Sequence, residues 1–185
     1  PRLLQIIGDN TRRLNKMVQD VLQLNRRDRS TPETFPAADF LRTFIADFCH
    51  AEKIEVETFV LDAVDQQGVN FDRGHLNQVL WNLCHNAWRH CRKQRGSIRL
   101  QISRRADGAA EGSLNLDVID DGPGVAPAVR GQLFEPFFTT AASGTGLGLY
   151  IAREMCEANG ATLDCLEDTT GGHFRIVCRS TSGHD

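Results

Sequence analysis

The chain has 185 residues, 41% of them hydrophobic and 24% charged, with a formal net charge of −3. That is an ordinary globular composition, long enough to bury a core without disulfide or metal staples. The charge argues against a nucleic-acid binder, and no apolar run approaches the roughly 20 residues that span a bilayer. No signal peptide is visible. The chain opens at Pro1, without an initiator Met and already inside an amphipathic pattern, as expected of an excised fragment. Cys49, Cys84, Cys91, Cys156, Cys165 and Cys178 form no C-x-x-C pair. They read as reduced core thiols of a cytoplasmic protein.

Residues 2–29 predict one helix. Leu4, Ile7, Leu14, Val18 and Val21 make its apolar stripe, interrupted at Thr11 and widened by Leu3, Met17 and Leu24. Arg12, Arg13, Arg26, Arg27 and Arg29 flank the stripe. Such a stripe suits half of a helical hairpin that pairs with another chain. "DRSTPETFP" (28–36) reads as a linker. A helix is expected over 37–50, a strand over 53–61 and a short strand in "GVNFD". A second helix covers 73–92 with Asp72 placed to cap it. Strands follow at 97–104 and 113–119, then a helix at about 146–158 and a final hairpin at 161–167 and 172–179, turned by "TTGG". This order suggests a sheet covered on one face by helices.

"WNLCHNAWRH" (81–90) holds the first chemical signal. At about 100° per residue, Asn82, Asn86 and Arg89 fall within about 60° of one another. Cys84 and Cys91 fall on the opposite, apolar side with Leu76, Leu80, Leu83 and Ala87. His85 and His90 flank the amide face from either side, so Cys and His do not converge as zinc ligands must. "DVIDDGPGV" (117–125) runs a strand into a carboxylate and two glycines. "GTGLGLYIAREM" (144–155) opens a helix with a glycine-rich loop, which presents N–H groups to an anion. No Lys follows to make it a P-loop. "FEPFFTT" (134–140) suits either core or a hinged lid.

Taken in order, these motifs resemble the N, G1, F and G2 boxes of sensor histidine kinases, most nearly the pilus-regulation and nitrogen-regulation kinds, over residues 33–180. Residues 1–30 resemble the second helix of the family's dimerisation and histidine-phosphotransfer hairpin. The resemblance implies an α/β (α+β) two-layer sandwich of the Bergerat, or GHKL, ATP-binding type with a left-handed crossover, preceded by one long helix. It implies ATP and Mg²⁺ as cofactors, a homodimeric full-length kinase and a response-regulator partner. Asn86 would hold Mg²⁺, with Asn82 near the phosphates, Arg89 toward them and His90 by the adenine. Asp120 would bind the adenine amine, with Gly122 and Gly124 allowing close approach. Gly144, Thr145, Gly146, Leu147, Gly148 and Leu149 would cradle the phosphates, and 126–143 would form a lid.

Hydrolytic relatives carry a Glu base where this chain has Asn82, so transfer to a side chain is expected over hydrolysis. Two departures stand out. Ala141 and Ala142 occupy a region where many relatives have a Lys. None of His50, His75, His85, His90, His173 or His184 sits in the family's acceptor motif, so the acceptor is expected before Pro1. The alternative is a nucleotide-binding pseudokinase.

Overall fold

The computed structural model describes residues 2–24, 30–63, 67–104, 112–141, 144–167 and 170–182. In chain order these form α1 (Arg2–Leu24), β1 (Glu33–Pro36), α2 (Ala37–Glu52), β2 (Phe59–Ala63), β3 (Gln67–Phe71), α3 (Arg73–His90), β4 (Ile98–Arg104), β5 (Ser113–Asp120), α4 (Pro127–Arg130), α5 (Gly148–Ala158), β6 (Thr162–Cys165) and β7 (His173–Ser182). The strands make one mixed sheet in the order β1-β3-β7-β5-β4-β2, with β6 also pairing β7. β2 runs parallel to β4, and the other pairs are antiparallel. Among the described residues no helix is long and apolar enough to cross a membrane.

Alternation along the strands sends Ile98, Leu100 and Ile102 of β4 and Leu114, Leu116 and Val118 of β5 to one face. There they meet Leu41, Phe44 and Phe48 of α2, Leu76, Leu80 and Leu83 of α3, and Ile151 and Met155 of α5. Each such side chain contributes about 1.5–3 kcal/mol when fully buried. This is the expected two-layer arrangement of sheet and helices. Cys84 and Cys156 lie wholly in that core, where burial pushes both thiols far up from their ordinary value. Cys165 is half-buried, the other five cysteines are buried, and all six are free.

Two local expectations need correction. Residues 53–61 are not one strand. Lys53 adopts a left-handed φ of 56° and donates its N–H to the Cys49 carbonyl, closing α2. A 3-10 turn over Val56–Thr58 follows before β2 begins at Phe59. The apparent linker contains β1, because Phe35 is buried and Glu33–Pro36 pairs with β3. The long first helix is described to Leu24, and its extension over 25–29 lies outside the described residues. The side chains of Leu3, Leu24, Arg12 and Arg13 also lie outside them. Leu4, Ile7, Leu14, Val18 and Val21 are exposed, so the stripe faces away from the domain that follows.

One amide ties the elements together at the end of the sandwich remote from the N box. Asn159, just past α5, accepts at Oδ1 from Ser30 Oγ at 3.0 Å and from the Asp72 N–H at 2.8 Å. Its Nδ2 donates to the Met155 carbonyl at 2.7 Å and to His75 Nδ1 at 3.0 Å. Asp72 caps α3 by accepting from the His75 N–H at 2.9 Å, and it also accepts from the Thr31 N–H and hydroxyl. Partial burial pushes the Asp72 carboxyl up, but the N–H donors of Thr31 and His75 and the Thr31 hydroxyl outweigh it and hold it below the usual range.

Candidate active site

The α3 helix buries Leu76, Val79, Leu80, Leu83, Cys84 and Ala87 on one side. Its other side turns Asn82, Asn86, Arg89 and His90 to a cavity of about 710 Å³. That is the size of a pocket for a ligand larger than a metabolite fragment. Arg89 and His90 stand exposed at the rim, and Asn82 and Asn86 are half-buried. His85 also reaches the cavity, yet it lies 3.4 Å from Glu52 and packs against Phe48 and Trp81.

One end of the cavity is built on Asp120, the last residue of β5. Its Oδ1 accepts from the Gly122 N–H at 2.8 Å and the Gly172 N–H at 3.2 Å. Burial pushes this carboxyl up from its ordinary value, and the two N–H donors only partly oppose it. A carboxylate held this way keeps lone pairs for an incoming amine. A Cβ at Gly122 would lie 2.6 Å from the His90 carbonyl oxygen, so only glycine lets this turn pass the end of α3. Asp121 faces elsewhere: it accepts from the Arg92 N–H at 2.8 Å and from Ser97 Oγ at 2.9 Å, bracing the loop after α3.

The other end is the loop Gly144–Thr145–Gly146 running into α5, whose first residue is Gly148. Gly146 has φ +73°, and a Cβ there would lie 2.6 Å from the Phe137 carbonyl oxygen. Asn82 packs against Gly148, and its Oδ1 accepts from Gln78 Nε2 at 3.4 Å. Its Nδ2 is buried without a partner. A buried, unpaired amide donor beside a helix N-terminus fits an anionic ligand.

The segment between the two ends begins with α4. Its three phenylalanines do three things. Phe134 packs edge-on to Phe174, 6.4 Å between ring centroids, with the Arg153 guanidinium 5.3 Å over it. Phe138 lines the cavity. Phe137 is 66% exposed and holds φ +66°. A non-glycine residue rarely adopts that conformation. Ala141 lines the cavity, and Ala142 lies outside the described residues.

The cavity thus gathers Asn82, Asn86, Arg89, His90, Asp120, Gly124, Gly144, Thr145, Gly146, Gly148 and Leu149. Two of the expected residues stand apart from the cavity lining. Leu147 is buried in the core as the residue before α5, and Gly122 braces Asp120 without lining the cavity. Sequence reasoning singled out neither Gly172, in the hairpin turn, nor Asp20 of α1, and both line the cavity. Among the described residues no cluster of three His, Cys, Asp or Glu could hold a metal ion by itself. An amide such as Asn86 suits an oxygen-seeking Mg²⁺ only where phosphates and water complete its shell.

Residues 71–182 match the family described as Histidine kinase-, DNA gyrase B-, and HSP90-like ATPase. The chain is 40% identical over 178 residues to the sensor protein kinase PilS of Pseudomonas aeruginosa, covering 95% of this chain and 33% of that protein. It is 33% identical over 172 residues to the sensory histidine kinase/phosphatase NtrB of Rhodobacter capsulatus, covering 85% and 47%. The full-length ShkA structure in complex with AMPPNP superposes with a TM-score of 0.74 at 26% identity, over all of this chain and 39% of that one. The mycobacterial sensor histidine kinase MprB shares the fold, with a TM-score of 0.67 at 21% identity over 83% of this chain. The chain spans about a third of the length of PilS and of the next relatives, the ZraS sensor kinases. With a match over more than half its length and sensor kinases among its relatives, the chain belongs to the histidine kinase-, DNA gyrase B- and HSP90-like ATPase family, as an ATP-binding domain of the sensor histidine kinase kind.

Proposed function

We propose that this domain binds ATP·Mg²⁺ and transfers the γ-phosphoryl group to a histidine on a helix outside this chain, for relay to an aspartate of a response regulator. The observation that carries the reading is the buried, partnerless Asn82 Nδ2 in a cavity with a carboxylate at one end and a glycine loop at the other. Asp120 accepts the adenine amine. The N–H groups around Gly146 and Gly148, Asn82 Nδ2 and the Arg89 guanidinium hold the phosphates. His90 covers the adenine at the rim, and Asn86 offers its amide oxygen to the metal. When bound, Mg²⁺ would supply charge neutralisation at the transferring group, and the chain's part is positioning and electrostatics. An amide at position 82 takes no proton from water, which favours a protein acceptor over hydrolysis. The segment 126–143 acts as the lid that excludes water.

In this reading residues 33–180 are the catalytic domain and residues 1–30 the second helix of the dimerisation hairpin. The exposed aliphatic stripe of α1 supports that assignment. The whole kinase is a homodimer with this part on the cytoplasmic side, tied to a membrane sensor. The test is a longer chain that includes the acceptor helix, incubated with labelled ATP and Mg²⁺. Acid-labile phosphohistidine should form, and Asn86→Ala should abolish it while the fold persists. Intact ATP binding with no phosphohistidine would make the domain a nucleotide-sensing pseudokinase, the reading that Ala141 favours.

A further inference from the structure

Helix α1 meets the active site through one buried acid. Asp20 is 7% exposed, lines the cavity, and accepts a 2.7 Å hydrogen bond from Thr145 Oγ1. Thr145 is also buried and sits in the glycine loop that leads into α5. Its hydroxyl in turn accepts from the Leu147 N–H at 3.4 Å. The aliphatic residues Leu4, Ile7, Leu14, Val18, Val21 and Leu22 meanwhile stand in solvent. The helix therefore reaches the loop through Asp20 and holds its exposed aliphatic stripe away. A buried carboxylate is costly unless its lone pairs are occupied, so the loop that receives Asp20 must suit an anion. The N-terminus of the 11-residue α5 supplies that preference.

We propose that Asp20 is a built-in competitor for the nucleotide's phosphates. While α1 is docked, its carboxylate holds the Thr145 hydroxyl and lies at the phosphate end of the cavity. A triphosphate seated on the same loop must displace that charge, because two anions cannot share one set of donors at low cost. Docking of α1 and binding of ATP are therefore coupled with opposite sign. Linkage makes the effect reciprocal: ATP loosens α1 by the factor by which α1 weakens ATP. The effect grows with phosphate charge, so ATP feels it more than ADP, and adenosine does not. This inference rests on the nucleotide reading of the cavity.

The test titrates the whole chain and its Asp20→Asn and Asp20→Ala variants with ATP, ADP and adenosine in Mg²⁺. Asparagine keeps the size and the acceptor but not the charge, and alanine removes both. Both variants should bind ATP about tenfold more tightly and adenosine within about twofold of the native chain. Amide exchange along α1 should quicken when ATP is added to the native chain. Unchanged ATP affinity in both variants, with adenosine still bound, overturns the competitor role and leaves the nucleotide reading standing. Weaker ATP binding also overturns it and makes Asp20 a ligand of the metal–nucleotide complex. If the native chain binds neither ATP nor adenosine, both readings fall together.

Discussion

Replacing Gly146 with alanine tests whether the proposed lid segment must pack on the glycine loop for the nucleotide to bind. The new Cβ would stand 2.6 Å from the Phe137 carbonyl oxygen and 2.7 Å from its Cα, and nearer still to its carbonyl carbon. Ordinary contact begins at 3.4 Å, so the lid backbone must retreat by about 1 Å. The backbone at Gly146, with φ +73°, adds the penalty of a left-handed alanine, about 1–2 kcal/mol. Phe137 is exposed and carries the lid's own left-handed strain, so the lid can retreat without opening the core. The two costs then separate. Thermal unfolding should shift by only about 2–8 °C for a domain of this size. ATP affinity should fall by about tenfold or more, the scale of one lost hydrogen bond to a charged group. Calorimetric titration reads the affinity and a melting curve reads the stability. Gly131→Ala is the control, because nothing lies within 4 Å of its added Cβ and its φ is −63°. Full ATP affinity in Gly146→Ala, with the expected small loss of stability, would refute the claim that lid and loop must close on each other.

Asp120→Asn should narrow the preference for ATP over inosine triphosphate, which lacks the amine, and lower ATP affinity by at least about tenfold, the scale of one hydrogen bond to a charged group; competition binding measures both. Asp117 is 1% exposed and accepts from Arg175 at 2.7 and 3.1 Å and from His173 at 2.9 Å. Burial pushes its carboxyl up, but these donors outweigh it and hold it below the usual range. Its stabilisation is therefore present above the unfolded value near 4 and lost as pH falls through the lower folded value. Asp117→Asn should cost about 3 kcal/mol at neutral pH, the low end for breaking a buried pair because Arg175 is 31% exposed. The gap from the native chain should close in acid, as urea unfolding across pH can show. Asn159→Ala removes four hydrogen bonds and should destabilise by about 2–4 kcal/mol in the same urea series.

The helices and the split faces of α3 were legible because one rule, about 100° per residue, sorts Cys84 from Asn86 without any tertiary information. Asp72 as a cap was legible for the same local reason. The errors lie where long-range pairing decides. Phe35 is a single apolar residue among Glu, Thr and Pro, and only pairing with β3 makes it a strand. Ile54 and Val56 alternate like a strand, but Lys53 ends α2 in a left-handed turn that its side chain does not announce. Gly172 belongs to the site because β7 lies beside β5, which places its N–H on Asp120 across 52 positions of sequence. Asp20 was not singled out, because the pattern of α1 says nothing about which part of the next domain lies against it.

The amide of Asn159 has a mechanical consequence. It fastens Ser30, in the segment that follows the first helix, to the start of α3 and the end of α5. From that joint α5 runs 11 residues, about 16 Å, to the glycine loop, and α3 runs 18 residues, about 27 Å, to His90. Both helices pack into the core beneath the sheet, so this amide fixes where each of them starts or ends relative to Ser30. The polar groups of the cavity lie at the far ends of the same two helices, so one side chain sets the common origin from which both reach the site.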